Sequence, residues 1–227
     1  MSGLYLYALV DEEPGQPLGQ GLAGEPLRVV RSGEILAVAG ERPSRPAPGV
    51  HAFSHHDGTV RRLAACVPAL LPARFGEWFP DEQALADKLA PRAKELGEAL
   101  ELVRGCVQMT LRVFGEATVS PSGSVVEESG LGPGARYLEE RRREHERARS
   151  LPEIDPLREL LAPYLRTEKV ERRGTPPMLG TVYHLVPRES FSAYRAVLER
   201  ESEQLSGVRV QASGPWPPYA FAPGATP

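Results

Sequence analysis

In the first hundred residues, the apolar positions predict a cluster of strands followed by helices. A first helix is expected to run from Ser54, which occupies an N-cap-like position, to about Cys66. Leucines at helical spacing predict a second helical segment over 82–101, which Pro91 should break or kink. Three short apolar runs, the last two joined by a glycine turn, predict strands: 3–10, 26–30 and 35–39.

The second half of the chain has a different element order. Alternating and helical apolar spacings predict strand, helix, strand, strand, helix and strand between residues 104 and 213. This is the order of the ferredoxin-like split βαβ unit, an antiparallel sheet with both helices on one face. The predicted elements are, in chain order, 106–114, 134–149, 169–173, 179–186, 191–205 and 207–212.

We therefore predict an α+β protein of two domains. Residues 1–102 would form a smaller and less regular α+β domain, and residues 103–213 would form the ferredoxin-like domain. Residues 214–227 make a C-terminal tail rich in proline and aromatic residues.

Two stretches of the second half stand out by composition. Residues 115–132 are rich in glycine, serine and proline, which predicts a loop. The predicted helix at 134–149 carries both signs of charge on every side, so we expect a solvated or projecting arm held by i, i+4 pairs. Leucines at 157–165 predict a further amphipathic helix with Leu160 on its apolar face.

The charge balance argues against two classes of partner. Lys and Arg number 27 against 30 Asp and Glu, and this net charge of −3 gives no basic footprint for nucleic acid or an anionic membrane. No apolar run approaches the roughly 20 residues of a membrane span, and the run at 4–10 lacks the flanks of a signal peptide. We expect a cytoplasmic protein. Cys66 and Cys106 predict neither a disulfide framework nor a zinc site.

Motifs for catalysis and cofactor binding are weak. The glycines at 19–24 have the spacing of a dinucleotide fingerprint, but a strand rather than a helix follows them, so no helix N-terminus would meet a pyrophosphate. His184 alternates with valines in a predicted strand and is interpreted as a satisfied, partly buried side chain. The sequence contains no nucleophile elbow and no phosphate-binding loop. We therefore predict that the chain is not an enzyme and needs no cofactor.

A histidine cluster supplies an alternative function. His51 and His55 have the i, i+4 spacing of metal ligands on a helix, and His56 adjoins them. A helix that starts at Ser54 would leave His51 outside, so the first two side chains would not share a face. A solvated helix start is the favoured interpretation, and a metal- or small-molecule-binding sensor is the alternative.

Two stretches suit contacts with another protein. Arg74 lies between apolar neighbours, where its guanidinium must reach water, a carboxylate or a partner. Near the C-terminus, prolines fix 214–221 as an extended, polyproline-like arm that either straps its own domain or docks a partner. The candidate partner-binding residues are Arg74, Phe75, Trp216, Pro217, Pro218, Tyr219 and Phe221.

Four motifs spread over residues 4–221 occur in an order that matches a known family. The tail motif GPWPPYAF at 214–221 carries Ala220 where that family usually has serine. The other three motifs are LYLYALV at 4–10, LPARFG at 71–76 and GARYL at 134–138. Together they resemble the gas vesicle protein L/F family (GvpL/GvpF).

The resemblance implies an α+β accessory protein of gas vesicle formation, either a minor structural component or an assembly factor. It also implies association with the small, very hydrophobic shell subunit and with other gas vesicle accessory proteins. Covering the apolar surface of that subunit before assembly would keep it from aggregating. Neither nucleic acid nor a membrane is expected among the partners, and the resemblance does not separate an L-type from an F-type role.

Overall fold

The computed structural model describes residues 2–116 and 150–224, with residues 174 and 175 by their backbone alone. It is α+β, as predicted. The strands are β1 (Gly3–Val10), β2 (Leu27–Ser32), β3 (Ile35–Arg42), β4 (Leu70–Pro72), β5 (Trp78–Phe79), β6 (Cys106–Gly115), β7 (Thr167–Thr175), β8 (Met178–Pro187) and β9 (Val208–Trp216). The helices are α1 (Val50–Ala64), α2 (Glu82–Leu89), α3 (Ala93–Val103), α4 (Asp155–Leu161) and α5 (Phe191–Ser202). The predicted helix at 134–149 and most of the predicted loop at 115–132 lie outside the described residues.

The chain divides into two compact units. Unit 1 comprises Met1–Gln108 together with Pro215–Pro227, and unit 2 comprises Met109–Gly214. The C-terminal segment therefore belongs to the same unit as the N-terminal strands.

Unit 1 is built on a sheet with β1 near its centre. The strand order is β2-β3-β1-β4, and β5 pairs with β1 off this path. All eight residues of β1 are buried, which explains why this strand is a continuous apolar run rather than an alternating one. A Cβ at Gly3 would collide with the Trp78 ring and the Phe79 carbonyl, so glycine is needed for β5 to approach.

Helices cover both faces of this sheet. On one face, tyrosines of β1 pack with apolar residues of α1: Tyr5, Tyr7, Val60 and Leu63. On the other, leucines of β1 lie beside leucines of α2 and α3: Leu6, Leu9, Leu89 and Leu96. Each large apolar side chain that is fully buried in this way stabilises the fold by about 1.5–3 kcal/mol.

Pro91 interrupts the second helical segment, as predicted. A 3-10 turn at Ala90–Arg92 separates α2 from α3. The α2 N-terminus is capped by Asp81, whose carboxylate accepts a hydrogen bond from the Ala84 amide at 2.8 Å.

Unit 2 contains a four-stranded sheet in the order β7-β8-β6-β9, with β7 and β8 antiparallel. The helices α4 and α5 pack against each other. Fully buried side chains from the strands and both helices form its core: Leu111, Val113, Leu157, Leu161, Val182, Leu185 and Tyr194.

The start of α1 differs from the prediction. The helix begins at Val50 rather than Ser54, and the Phe53 amide already donates to the Gly49 carbonyl at 2.9 Å. Gly49 is the N-cap and makes no side-chain cap hydrogen bond. Glycine is accepted at N-caps, and Gly49 takes this position ahead of the predicted start, so that Ser54 is an exposed residue inside the helix.

The tail also differs from the prediction. Instead of a polyproline-like arm from residue 214, strand β9 continues through Pro215 to Trp216, and a 3-10 turn follows at Tyr219–Phe221. A proline is tolerated there because β9 is an edge strand of the sheet, where an amide that faces away from the neighbouring strand is not needed.

Two helix ends were predicted too late. The α4 helix ends at Leu161 before a 3-10 turn that contains Pro163, and Leu160 is 48% exposed rather than on a buried face. The α5 helix ends at Ser202, so Leu205 lies beyond it. Among the described residues, no helix combines the length and the apolar character that a bilayer crossing requires.

Candidate partner-binding surface

The C-terminal segment is fastened to unit 1 by polar contacts. The Tyr219 hydroxyl donates to Asp57 of α1 at 2.9 Å, and the Ala220 amide donates to the Gln108 side chain at 2.8 Å. Burial and the negative charge of Asp57 both raise the pKa of Tyr219, so the phenol stays protonated and remains a donor.

The apolar residues of the segment divide into two groups. Pro217, Pro218 and Phe221 are buried, and they fill space within unit 1. Trp216 is half-buried, and the Arg61 guanidinium lies 4.0 Å from the centre of its ring. Arg61 is held in turn by Asp57 at 2.6 Å, so one carboxylate of α1 positions both Arg61 and Tyr219.

The N-terminal turns of α1 expose apolar side chains. Val50 is 85% exposed and Phe53 is 48% exposed. The Phe53 ring lies against Phe75, with 4.3 Å between ring centroids, and Phe75 is half-buried. We call these three residues the α1 patch. Val50, Phe53, Asp57 and Arg61 follow at i, i+3, i+7 and i+11, so patch and tail contacts share one stripe of the helix.

A buried hydrogen-bond chain fixes the segment that carries Arg74 and Phe75. The Gly76 amide donates to the Tyr5 hydroxyl at 3.2 Å, which lies 2.9 Å from Nδ1 of His56. Nε2 of His56 lies 3.2 Å from the Ala73 carbonyl, which can only accept. Nε2 therefore carries a proton, and Nδ1 accepts from Tyr5. Burial lowers the pKa of His56, which keeps the ring neutral.

Arg74 is exposed and lines a groove on the other face of the sheet. This groove has a volume of about 240 Å³. We call it the unit 1 groove; its lining includes Leu6, Leu9, Leu71, Leu89, Leu96, Tyr219 and residues 222–224.

The glycine-rich loop at 19–24 has a structural explanation. The Tyr7 hydroxyl donates to Glu25 at 2.5 Å and accepts from the Leu22 amide at 2.7 Å. Glu25 also faces Arg42 at 3.6 Å, with both side chains largely buried. A Cβ at Gly21 would collide with the Glu25 carboxylate and the Tyr7 hydroxyl, so glycine leaves room for this network.

The histidine cluster is arranged differently from the prediction. Because α1 begins at Val50, His51 and His55 do share a helical face, and their rings are 4.1 Å apart. His56 points into the core instead. Within residues 2–116 and 150–224, no group of three or more His, Cys, Asp or Glu side chains is placed to hold a metal ion.

His184 is completely buried in unit 2, rather than partly buried as predicted. Its Nδ1 lies 2.8 Å from the Tyr194 hydroxyl, and its Nε2 lies 3.5 Å from Glu168, which is long for a hydrogen bond. Glu168 also forms an ion pair with Arg158. His184 and Arg158 together lower the pKa of Glu168 to about 2, against the desolvation that would raise it.

The structure separates the seven predicted partner-binding residues into different environments. Phe75 belongs to the α1 patch, Arg74 lines the groove, and Trp216 and Tyr219 lie along α1. The sequence analysis did not predict Val50 and Phe53 as candidate surface residues. It placed the helix start at Ser54, so these two residues were not seen to lie on the same helical stripe as Asp57 and Arg61.

Comparisons with known proteins agree on one family. The family model described as gas vesicle synthesis protein GvpL/GvpF matches residues 3–223. Gas vesicle protein L of Streptomyces sp. (strain CB03234) is 28% identical over 96% of this chain and 92% of its own length. Gas vesicle protein L2 of Halobacterium salinarum is 26% identical over 97% of this chain and 91% of its own length.

Solved structures support the fold. The crystal structure of GvpF from Anabaena sp. PCC7120 superposes with a TM-score of 0.74 at 17% identity, covering 100% of this chain and 98% of that one. The crystal structure of GvpF from Microcystis aeruginosa gives a TM-score of 0.72 at 18% identity, covering 97% of this chain and 98% of that one. The family match over nearly the whole chain shows that this protein belongs to the GvpL/GvpF family of gas vesicle synthesis proteins.

Proposed function

We propose that this protein binds the hydrophobic gas vesicle shell subunit, as an assembly factor or chaperone-like partner. The observation that carries this proposal is the α1 patch, in which Val50 and Phe53 stay exposed at the start of a helix whose later turns are covered by the tail. Clustered exposed apolar side chains on a folded protein commonly mark an interaction site.

The chemistry of the α1 patch fits an apolar partner. Phe53 and Phe75 already contact each other, so they lose little side-chain freedom when a second apolar surface covers them. Trp216 extends this surface along α1, and its aromatic ring is a residue type enriched at binding hot spots. The buried Pro217, Pro218 and Phe221 would act by positioning the tail.

A co-expression experiment tests the proposal. The shell subunit is produced with and without this chain, and the soluble fraction of the subunit and its recovery in a pull-down are measured. The variant combines Val50→Ser and Phe53→Ser, which remove exposed apolar area without opening a core cavity. We expect the subunit to stay soluble with the native chain and to lose most of its recovery with the variant.

The matched control is Leu102→Ser, which removes an exposed apolar side chain of α3 in the same unit. It should leave recovery of the shell subunit unchanged. Equal recovery of the shell subunit with the native chain and with the double variant would show that the α1 patch is not the binding surface. If the native chain does not bind the shell subunit at all, the proposal that this subunit is the partner is wrong. Point substitutions are preferable to truncation after Ser213, because truncation would also remove the buried Phe221.

We further propose a ferredoxin-like architecture for unit 2 and a non-catalytic role at gas vesicles for the whole chain, alongside other accessory proteins. The strand order β7-β8-β6-β9 supports the architecture, since a split βαβ unit places its third strand between its first and second. The two compact units support two domains, with the tail assigned to the first. The helix α4 lies between β6 and β7, and α5 lies between β8 and β9, as a split βαβ unit requires. A crystal structure would test whether the predicted helix at 134–149 precedes α4.

A further inference from the structure

The two faces of the unit 2 sheet carry different side chains. On one face, His184 of β8 is completely buried and contacts the Tyr194 hydroxyl of α5. Successive residues of a strand point to opposite faces of the sheet, so Tyr183 points away from that helix. Tyr183 is half-buried, and it marks the centre of a second, more polar surface.

Three arginines and two aromatic rings meet on this second surface. Burial raises the pKa of Tyr183, and the nearby positive charges of Arg173 and Arg112 oppose the rise. Phe114 follows Arg112 by two residues on β6 and therefore shares its face of the sheet. The Arg209 guanidinium of β9 lies 4.8 Å from the centre of the Phe114 ring. We call these five residues the arginine face.

The charges around the arginine face do not balance. Lys169 lies opposite Tyr183 in the β7–β8 pair, and Glu171 accepts a hydrogen bond from the Tyr183 hydroxyl at 3.2 Å, so these two neighbours contribute opposite charges that cancel. The three arginines are all exposed, and none forms an ion pair with another residue of 2–116 or 150–224. Glu116 follows the end of β6, and counting it against the arginines still leaves an excess of positive charge.

This combination of groups favours carboxylates over a nucleic acid. A guanidinium presents a planar fork of N–H donors that matches a carboxylate, and two aromatic rings between such forks offer apolar contact area. A polyanion would meet Glu171 and Glu116 on the same surface, and the net charge of −3 on the whole chain would repel it further. A protein segment with a few separated carboxylates avoids both costs.

We propose that the arginine face docks an acidic segment of a partner protein. Carboxylates of that segment pair with the three arginines, and an apolar side chain between them covers the rings of Phe114 and Tyr183. The arginine face belongs to unit 2, whereas the α1 patch belongs to unit 1. It would therefore recognise a charged partner, unlike the apolar partner proposed for the α1 patch.

Fluorescence anisotropy of the full-length protein with labelled probes tests the proposal. One peptide carries single leucines between glutamates, a second carries lysines in place of the glutamates, and the third probe is a single strand of oligothymidylate. We expect saturable binding of the acidic peptide that weakens as salt is raised, because the arginines are exposed. The basic peptide and the oligonucleotide should each bind at least about tenfold more weakly.

The surface itself is tested with a double variant that combines Arg112→Glu and Arg209→Glu. This variant should weaken binding of the acidic peptide by about tenfold or more, because two attractions become repulsions. The matched control combines Arg195→Glu and Arg200→Glu, two exposed residues of α5, and makes the same change in net charge. Circular dichroism checks that both variants are folded, and the control should bind within about twofold of the native chain.

Several outcomes would overturn the proposal. Absence of binding of the acidic peptide, or equal binding of the acidic and basic peptides, would do so with the native chain alone. Equal weakening in the double variant and the control would assign the binding to overall charge rather than to this surface. Binding of the oligonucleotide in preference to the acidic peptide, lost in the double variant, would assign the surface to nucleic acid. The shell subunit takes no part in these measurements, so the two proposals fail independently.

Discussion

The neutral imidazole of His56 connects three parts of unit 1: its own helix α1, Tyr5 of β1, and the segment at 73–76. Protonation of Nδ1 would replace an acceptor by a donor facing the Tyr5 hydroxyl. That hydroxyl would then have to accept two hydrogen bonds and donate none. At the residue scale, the position of Phe75 in the α1 patch therefore depends on a single protonation state.

This arrangement predicts a pH dependence of stability. Burial lowers the pKa of His56 in the folded state, so the unfolded chain takes up a proton first as the pH falls through about 6.5. The stabilising contribution is complete above that pH and is lost below it. Lowering the pH from 7.5 to 5.5 should reduce the unfolding free energy of both proteins, and the reduction should be about 1 kcal/mol smaller for His56→Gln than for the native chain. Urea unfolding at both pH values measures this, and equal losses would contradict the assignment.

The Tyr7 hydroxyl is the second residue-scale case. It donates to Glu25, whose side chain is largely buried, and accepts from the amide of the half-buried Leu22, so Tyr7→Phe leaves both groups without this partner. We expect a loss of about 1–3 kcal/mol in unfolding free energy, measured by urea denaturation. Tyr183→Phe is the control, because Tyr183 also donates to a glutamate but is half-exposed. A control loss as large as that of Tyr7→Phe would contradict this explanation.

At the scale of elements, polar contacts hold neighbouring elements together in both units. In unit 1, Asp57 connects α1 to the tail through Tyr219. In unit 2, Glu168 of β7 meets His184 of β8 and Arg158 of α4. One carboxylate thereby links two strands to a helix, and its ionisation should govern how well unit 2 withstands acid.

The Glu168 contacts predict acid sensitivity of unit 2. With a folded-state pKa of about 2, this carboxylate stabilises the fold above its unfolded pKa of about 4.3, and the contribution disappears as the pH falls from there towards 2. The Glu168→Gln variant should be less stable than the native chain at pH 6, by on the order of 1 kcal/mol. The difference should shrink by pH 3. Thermal unfolding at both pH values measures it, and a constant difference would exclude ionisation as the cause.

The sequence predicted elements better than surfaces. Strand β1 and the break at Pro91 follow from local apolar runs and from the missing amide of proline, and both were found. The start of α1 was predicted wrongly because Ser54 is a strong N-cap type, whereas the helix begins after Gly49, whose cap makes no side-chain hydrogen bond. With the start at Ser54, Val50 and Phe53 were not recognised as helix residues. Pro215 has no amide for strand pairing, and it is accommodated because β9 is an edge strand, which the local sequence does not reveal.

At the scale of the whole molecule, unit 1 is discontinuous in the chain. Its last residues, from Pro215, follow all the described residues of unit 2 in sequence. Phe221 is only 3% exposed in that segment, so the fold of unit 1 requires residues from both ends of the chain.

Removing the Phe221 side chain should therefore destabilise unit 1. Phe221→Ala is expected to lower its unfolding free energy by about 3 kcal/mol or more, because a buried aromatic side chain is replaced by a cavity. Trp216→Ala serves as the comparison and should cost about 1 kcal/mol, since its ring is half-buried and contacts Arg61. Hydrogen exchange of the β1 amides measures both, and equal protection in the two variants would contradict the distinction.

The discontinuity of unit 1 affects the order of events during protein synthesis. Chains emerge from the ribosome N-terminus first, at about 5–20 residues per second. Strand β1 is thus made long before Phe221. After Gln108 has been added, roughly another hundred residues must be translated before the C-terminal part of unit 1 is made. A ribosome that stalls within unit 2 consequently leaves a nascent chain with an incomplete first unit, which cellular proteases can recognise.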